Sequence, residues 1–211
     1  MYLSRKILLS KLRVKSLASS LNPCQLRGLT KDEIDRIVDE WRQERPDLDT
    51  SPTQVLQRIT RLNLLQEASF AQVFGRHGLS WGEYLVLAAL RRSGPPYQMN
   101  PTALYGSVIL SSGGMTKRLD GLEAAGLIER RSDPADRRGR LVALTPKGKQ
   151  TVDRAVLDHL ANQERLLAAL SSAERRKLGD LLRKLLTSEP FLALDPLPLP
   201  LPARSVGGPK R

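Results

Sequence analysis

Apolar residues recur at helical spacing through most of this chain, and the clearest stretch begins near residue 111. Met115, Leu119 and Leu122 follow one another at i, i+4 and i+7, which gives a helix with one apolar face. Ser111 and Ser112 stand at its start, where their hydroxyls can accept hydrogen bonds from the free N–H groups of the first turn. We therefore predict a helix that these serines cap and that packs inward through its apolar face.

After this helix the pattern changes from helical to alternating. Gly126 follows Ala125 and favours a left-handed end to the helix. Residues 127–131 and 140–145 are predicted as two strands, and the second alternates Leu141, Ala143 and Thr145 with Val142 and Leu144. The tip between them reads Ser-Asp-Pro-Ala-Asp-Arg-Arg-Gly, which is rich in turn formers. The pattern therefore predicts a β-hairpin with arginines at its tip.

Helix-start signals divide the rest of the chain. Thr30, Ser80 and Ser171 are each followed three residues later by Glu, as in a capping box. Asn100-Pro101 and Thr145-Pro146 place a cap before a first-turn proline. The helices predicted from these signals and from helical spacing carry the following apolar stripes: Ile34, Ile37, Val38 and Trp41; Val55, Ile59, Leu62 and Leu65; Val152, Val156 and Leu160; Leu178, Leu181, Leu182 and Leu185. We expect the last four leucines to point inward and Glu189-Pro190 to end their helix.

These elements predict a mainly α fold with a small β-hairpin wing, a winged helix-turn-helix. We expect a domain over residues 30–189, with the winged unit at about 79–145. The helices at about 31–76 and 146–189 carry apolar faces with little else nearby to cover them, so we expect them to bury these faces against a second copy.

The chain has 34 Lys and Arg against 22 Asp and Glu, for a formal net charge of +12. Such a surplus favours a polyanionic partner, nucleic acid first and an anionic membrane second. Aromatic residues make up only 4%, which argues against binding single strands by base stacking. No apolar run is long enough to span a membrane, and a single cysteine excludes an intrachain disulfide; we expect a cytoplasmic protein without membrane contact.

Both ends differ in composition from the middle. Residues 1–29 are basic and contain no Asp or Glu. We expect a disordered arm or a start placed upstream of the natural one; a basic helix that touches DNA or lipid and an organelle transit peptide are the alternatives. Residues 190–211 alternate Leu with Pro and end in Gly and basic residues, so we expect an extended tail, with a polyproline partner-binding segment as the alternative.

The predicted helix and hairpin together suit double-stranded DNA. Thr116, Lys117 and Arg118 fall largely on the other face of the helix, near its N-terminal end. The major groove admits one α-helix and displays base edges to it. Arginines on a thin hairpin suit the narrow minor groove, where the potential is most negative.

In this order of elements the chain resembles the MarR family of transcriptional regulators. The resemblance rests on SSGGMTKRLDGLEAAGLIER and on DPADRRGRLVALTPKG, and extends over about residues 30–189. It implies a homodimer that places two recognition helices in successive major grooves of a palindromic operator. It also implies release of the DNA by a small anionic or aromatic effector.

The residues expected to act on DNA follow from the helix, the hairpin and the resemblance. Asp136 matches the family aspartate that braces the wing, and the second arginine of the tip, Arg138, matches the minor-groove arginine. For the serines and glycine at the helix start the alternative is simple capping, and for Arg118 it is an ion pair with Asp120 or Glu123. The predicted DNA-binding residues are Ser111, Ser112, Gly113, Thr116, Lys117, Arg118, Arg137 and Arg138.

A candidate effector pocket follows from the resemblance alone. Trp41 on an extra N-terminal helix, with Arg118 and Arg130, matches the ligand site of urate-responsive members of the family. Leu85 stands where those members have an aspartate, so the pattern departs from theirs. For Trp41 the alternative is core packing.

No pattern in the sequence indicates catalysis or a metal. His77 and His159 have no partner at metal-ligand spacing, and no phosphate loop or paired carboxylates stand out. We expect no cofactor and no enzymatic activity. The alternatives to a sequence-specific regulator, expected to be a repressor, are a low-specificity architectural DNA-binding protein and, more remotely, an enzyme.

Overall fold

The structure, a computed structural model, describes residues 31–108, 114–134 and 139–194. The chain forms two compact units, one up to Gln66 and the other from Glu67 onward. The elements are α1 (Glu33–Glu44), α2 (Ser51–Gly75), α3 (Trp81–Arg92), β1 (Gln98–Met99), α4 (Pro101–Ser107), α5 (Met115–Ala124), β2 (Ile128–Ser132), β3 (Arg140–Leu144), α6 (Pro146–Leu166), α7 (Ser172–Leu186) and α8 (Glu189–Leu192). None of the helices in these ranges combines the length and apolarity that a membrane crossing requires.

The first unit contains α1 and the first part of α2. Asp32, not Thr30, caps α1, because Asp32 accepts from the backbone N–H of Asp35 while the Asp35 carboxylate accepts from the N–H of Asp32. Arg58 of α2 donates to both carboxylates, at 2.8 Å from Asp32 Oδ2 and 2.8 Å from Asp35 Oδ1. Asp32 and Asp35 therefore cap α1 and also connect it to α2 through Arg58. Ile34 and Val38 are buried.

The second unit has a core built from the end of α2, α3, the winged elements and α6. Ser80 and Glu83 form the predicted capping box of α3, and Asn100 caps α4. The largest side chains fully buried in this core include Phe74, Leu87, Leu90, Leu104, Met115, Leu122 and Ile128.

The sheet has three strands in the order β1-β3-β2, all antiparallel. The hairpin β2–β3 was predicted, and its register pairs Ile128 with Leu144 and Ser132 with Arg140. The two-residue strand β1 was not predicted. It follows Tyr97, whose φ of 59° turns the chain so that Tyr97 O accepts from the N–H of Leu144 at 3.0 Å.

The apolar stripe predicted on α6 is only partly buried in the single chain. Val152 is buried as expected, whereas Leu160 is exposed. The inward positions beyond Val152 are taken by Ala155, His159 and Asn162. Asn162 is satisfied there because its side chain exchanges hydrogen bonds with the hydroxyl of Ser69 on α2.

The prediction that the leucines of α7 point inward is wrong for this single chain. Ser171 and Glu174 form the predicted capping box. However, no residue of α7 is buried, although the structure describes the whole helix. Leu178 and Leu181 are exposed. Glu189 and Pro190, expected to end this helix, begin the short helix α8 instead.

His159 is the centre of an aromatic cluster. Its ring centroid lies 5.0–5.6 Å from those of Phe70, Phe74, Trp81 and Tyr84. The side chain is only 7% exposed, and its Nδ1 has no hydrogen-bond partner among the described atoms. Burial therefore lowers the pKa of His159, because the charged imidazolium would lose its hydration.

This lowered pKa predicts a pH-dependent stability. The unfolded state, with a histidine pKa of about 6.5, binds a proton that the folded state resists, so the free energy of unfolding should fall as the pH drops below that value toward the folded pKa. Replacing His159 with Phe keeps a ring in the cluster and should flatten this decline. Urea unfolding of both proteins from pH 8 to pH 5 measures it; parallel curves would contradict the assignment to His159.

Candidate nucleic-acid interface

The second helix of the helix-turn-helix, α5, has the two faces that the spacing predicts. Met115, Leu119 and Leu122 are buried, whereas Thr116 and Lys117 are exposed. The polar face therefore stands free on the surface of the second unit. A helix packed through one side in this way can present the other to a groove of DNA.

The prediction that Ser111 and Ser112 cap this helix is wrong. Its N-cap is Gly114, at a φ of 88°, with no side-chain hydrogen bond. Only glycine adopts this left-handed conformation without strain, so the helix begins one residue later, at Met115. Ser111, Ser112 and Gly113 lie outside the described residues, and their contact with DNA stays a prediction.

Arg118 is packed over glycine. A Cβ added to Gly82, in the first turn of α3, would lie 3.0 Å from Arg118 Cδ and closer still to Nε, and one added to Gly114 would lie 3.3 Å from Nη1. The absence of side chains at these two positions therefore leaves room for the guanidinium beside the start of α5.

Arg130 pairs with two carboxylates of α5. Its Nη2 lies 2.6 Å from Asp120 Oδ1, its Nη1 pairs with Glu123, and its backbone N–H donates to Glu123 at 3.1 Å. The hydrogen bond with Asp120 is the main cause of the raised pKa of Arg130. These bonds fix strand β2 to the recognition helix.

The structure describes the wing except for residues 135–138 at its tip. The N–H of Asp133 donates to Gly139 O at 3.1 Å and extends the hairpin beyond β2 and β3. Asp136, Arg137 and Arg138 lie outside the described residues. Their roles, a brace and two DNA contacts, stay predictions.

The residues of the candidate effector pocket belong to both units. Trp41, in the first unit, is 49% exposed, so the alternative that it packs in a core is wrong for the single chain. Arg118 and Arg130 belong to the second unit and have the surroundings given above. Leu85 packs half-buried against the apolar core. The pocket itself stays a prediction.

One feature of this region was not predicted: a joint between the end of α5 and the start of α6. The hydroxyl of Thr145 donates to Gly126 O at 2.8 Å, and Lys147 Nζ donates to Ala125 O at 2.8 Å. Gly148 lies directly against the backbone carbonyl of Leu127. The signal was present as the LTPKG sequence after the wing, but its spacing alone does not name the contact partners.

Both histidines contact other side chains of the protein. His77 Nε2 lies 2.9 Å from Asp158 Oδ2, and His159 has the aromatic surroundings given above. Within the described ranges no three side chains of the metal-binding types come together.

The winged helix-turn-helix with one exposed polar helix face defines a class, that of double-stranded DNA-binding proteins. Residues 77–139 match the model of the MarR family. The transcriptional regulator PecS of Dickeya dadantii is 37% identical over 150 residues, which are 71% of this chain and 90% of PecS. The chain therefore belongs to the MarR family of DNA-binding transcription regulators.

Solved structures agree with this assignment. BpsR of Bordetella bronchiseptica, whose structure concerns the regulation of its DNA binding by 6-hydroxynicotinic acid, is 27% identical with a TM-score of 0.58, over 67% of this chain and 98% of that one. Sco3205 of Streptomyces coelicolor, solved in complex with DNA, has a TM-score of 0.60 over 68% of this chain and 92% of that one. At 20% identity the second likeness supports the fold alone.

Proposed function

We propose that this chain is a homodimeric repressor that binds a palindromic operator and is released by a small anionic or aromatic effector. The observation that carries the proposal is α5, whose apolar face is buried while Thr116 and Lys117 remain exposed. PecS is a transcriptional regulator, and the DNA binding of BpsR is regulated by a small molecule, which supports regulation rather than catalysis.

The DNA contacts are proposed residue by residue. Thr116, Lys117 and Arg118 face the major groove from α5, preceded by Ser111, Ser112 and Gly113 at its entry. Asp136 braces the wing, from which Arg137 and Arg138 reach the adjacent minor groove.

Exposed leucines support the homodimer. In the first unit Leu62 of α2 is 63% exposed, and in the second unit Leu181 of α7 is 53% exposed. Apolar stripes of this kind need a partner surface, and a second copy presents the same stripes under two-fold symmetry.

Trp41, Arg118 and Arg130 are proposed as effector contacts because they match the ligand residues of urate-responsive members of the family. A half-exposed tryptophan offers an apolar surface, and the two arginines offer charge to an anionic group. An effector that engages Arg118 would compete with DNA for the same side chain. The regulation of BpsR by 6-hydroxynicotinic acid supports a small aromatic effector in this family.

The proposal predicts a specific operator and a role for the wing. We expect the protein to protect two half-sites about 10 base pairs apart in its own upstream DNA. It should prefer this site over random DNA by about 10³-fold. Replacing Arg138 with Ala should cost about 1–3 kcal/mol of binding free energy and relax the preference for A·T pairs beside each half-site. Footprinting and gel-shift titration with excess random competitor measure both.

A low-specificity architectural protein is the second candidate, favoured by the net charge of +12. Random competitor DNA would displace such a protein from the operator as readily as from any other sequence. Nearly all its affinity for DNA would disappear as the salt concentration rises, because phosphate contacts depend on counterion release. An unchanged affinity and base preference in the Arg138→Ala protein would remove the minor-groove role alone.

A further inference from the structure

Gly82 lies in the first turn of α3, and its backbone does not require a glycine. It is helical and buried, and it is not one of the glycines that adopt a positive φ in the described part of the chain. Alanine is a far better helix former than glycine. The reason for a glycine at this position must therefore lie in what packs against it.

The atoms that leave no room for a side chain at position 82 belong to Arg118 of α5. A Cβ on Gly82 would lie 3.0 Å from Arg118 Cδ and 3.2 Å from its Cζ, and closer still to its Nε. The three atoms nearest to that Cβ all come from this one side chain. An alanine at position 82 would therefore displace the guanidinium of Arg118.

Gly114 bounds the position of the same guanidinium on another side. A Cβ there would lie 3.3 Å from Arg118 Nη1 and 3.7 Å from Cζ. The φ of 88° already favours glycine at position 114, whereas the space for Arg118 is the reason that remains for Gly82. The two glycines leave a slot for the half-buried Arg118 at the N-terminal end of α5. A recognition helix contacts base edges with the residues of this end.

We propose that Gly82 is a positioning residue for operator binding, because it keeps open the slot that holds the Arg118 guanidinium at the N-terminal end of α5. An arginine that is already ordered before DNA arrives loses less conformational entropy on binding than a mobile one. Held there, the guanidinium donates to a phosphate or a guanine edge. The inference rests on the proposed contact of Arg118 with DNA, and it gives α3 a role without a DNA contact of its own.

The test is a double-mutant cycle on the full chain, with gel-shift titration of the operator. Arg118→Ala should weaken operator binding by about tenfold or more, and Gly82→Ala by about five- to tenfold, because it moves the same guanidinium. The protein with both changes should bind no more weakly than Arg118→Ala alone. Gly75→Ala, at the end of α2 where a Cβ would meet nothing within 4 Å, is the matched control and should bind like the wild type. Thermal unfolding confirms that each variant folds.

A second measurement needs no variant. NMR relaxation of the Arg118 Nε–H group in the free wild-type protein should show a side chain as ordered as the backbone. Arg176, which is exposed on α7, is the internal reference and should be mobile. In the Gly82→Ala protein, the Arg118 group should become as mobile as that of Arg176.

Three results would overturn this inference and leave the proposed function standing. Wild-type affinity in Gly82→Ala, with weak binding in Arg118→Ala, would mean that Arg118 needs no slot. A loss from Gly82→Ala that persists in the Arg118→Ala background would mean that packing of α3 carries the effect. An Arg118 side chain as mobile as Arg176 in the wild type would mean that the slot does not hold it. Wild-type affinity in Arg118→Ala would instead remove the DNA contact of Arg118 from the proposed function, and this inference with it.

Discussion

Replacing Gly148 with alanine is expected to destabilise the protein by about 3 kcal/mol, the upper end of the range for overpacked sites. A Cβ at this position would lie 2.8 Å from the carbonyl carbon of Leu127 and closer still to its oxygen. The obstacle is backbone, which cannot rotate away as a side chain can. Leu127 connects α5 to β2, so the recognition helix and the wing must shift together. Thermal unfolding should show a melting temperature lower by about 6–12 °C.

Gly179→Ala is the matched control. Gly179 lies inside α7, and a Cβ there would meet nothing within 4 Å. Alanine should stabilise an exposed helix position by about 0.5–1 kcal/mol relative to glycine. If Gly148→Ala lowers the stability and Gly179→Ala raises it, contact with Leu127, rather than helix propensity, accounts for the loss in the Gly148→Ala protein. A Gly148→Ala protein as stable as the wild type would show that the contact between the end of α5 and the start of α6 adjusts to an added methyl group without cost.

Local signals were enough to predict most helices. The caps at Ser80, Asn100, Thr145 and Ser171 all form as expected, because each cap bond joins residues three apart in the chain. Two predicted helix caps are wrong because a nearby residue is the N-cap instead. Asp32 replaces Thr30 at α1, and at α5 a left-handed glycine moves the helix start past both serines.

Long-range contacts were not predictable in the same way. Strand β1 has only two residues, too few for an alternating pattern, and it exists because it pairs with β3. On α6 helical spacing indicates an apolar stripe that includes Leu160, but the buried positions are polar ones: aromatic rings from α2 and α3 enclose His159, and Ser69 satisfies Asn162. Periodicity identifies apolar faces; it does not identify the partners that make a polar residue acceptable inside.

In the candidate interface, too, local structure was predictable and long-range contacts were not. The burial of Met115, Leu119 and Leu122 follows from helical spacing and is confirmed. The pairing of Arg130 with Asp120 and Glu123 joins β2 to α5 across seven to ten residues, so helical spacing, which relates neighbours on one helix, could not indicate it. The joint of α6 with α5 depends on contacts about twenty residues apart.

A charge on the exposed leucine stripe of α7 should abolish the proposed dimer. Leu181→Glu is expected to raise the dimer dissociation constant by about 100-fold or more, because each unpaired carboxylate would lose its hydration in the interface. Two-fold symmetry doubles the effect, since both protomers carry the change. Sedimentation velocity across a concentration series would show a monomer where the wild type is a dimer. Operator affinity should fall in parallel, because each half-site would then be bound independently.

Arg176→Glu is the control for charge. Arg176 lies on the same helix, about 140° round its axis from Leu181 at 3.6 residues per turn. Because Leu181 is exposed in the single chain, neither change removes core packing, and the monomer should keep its helical content by circular dichroism. Dissociation in the Leu181→Glu protein alone would identify the leucine stripe as the dimer surface. A dimer that survives Leu181→Glu would mean that α7 stays exposed in the assembly, and that the leucines of α2 and α6 must supply the contact without it.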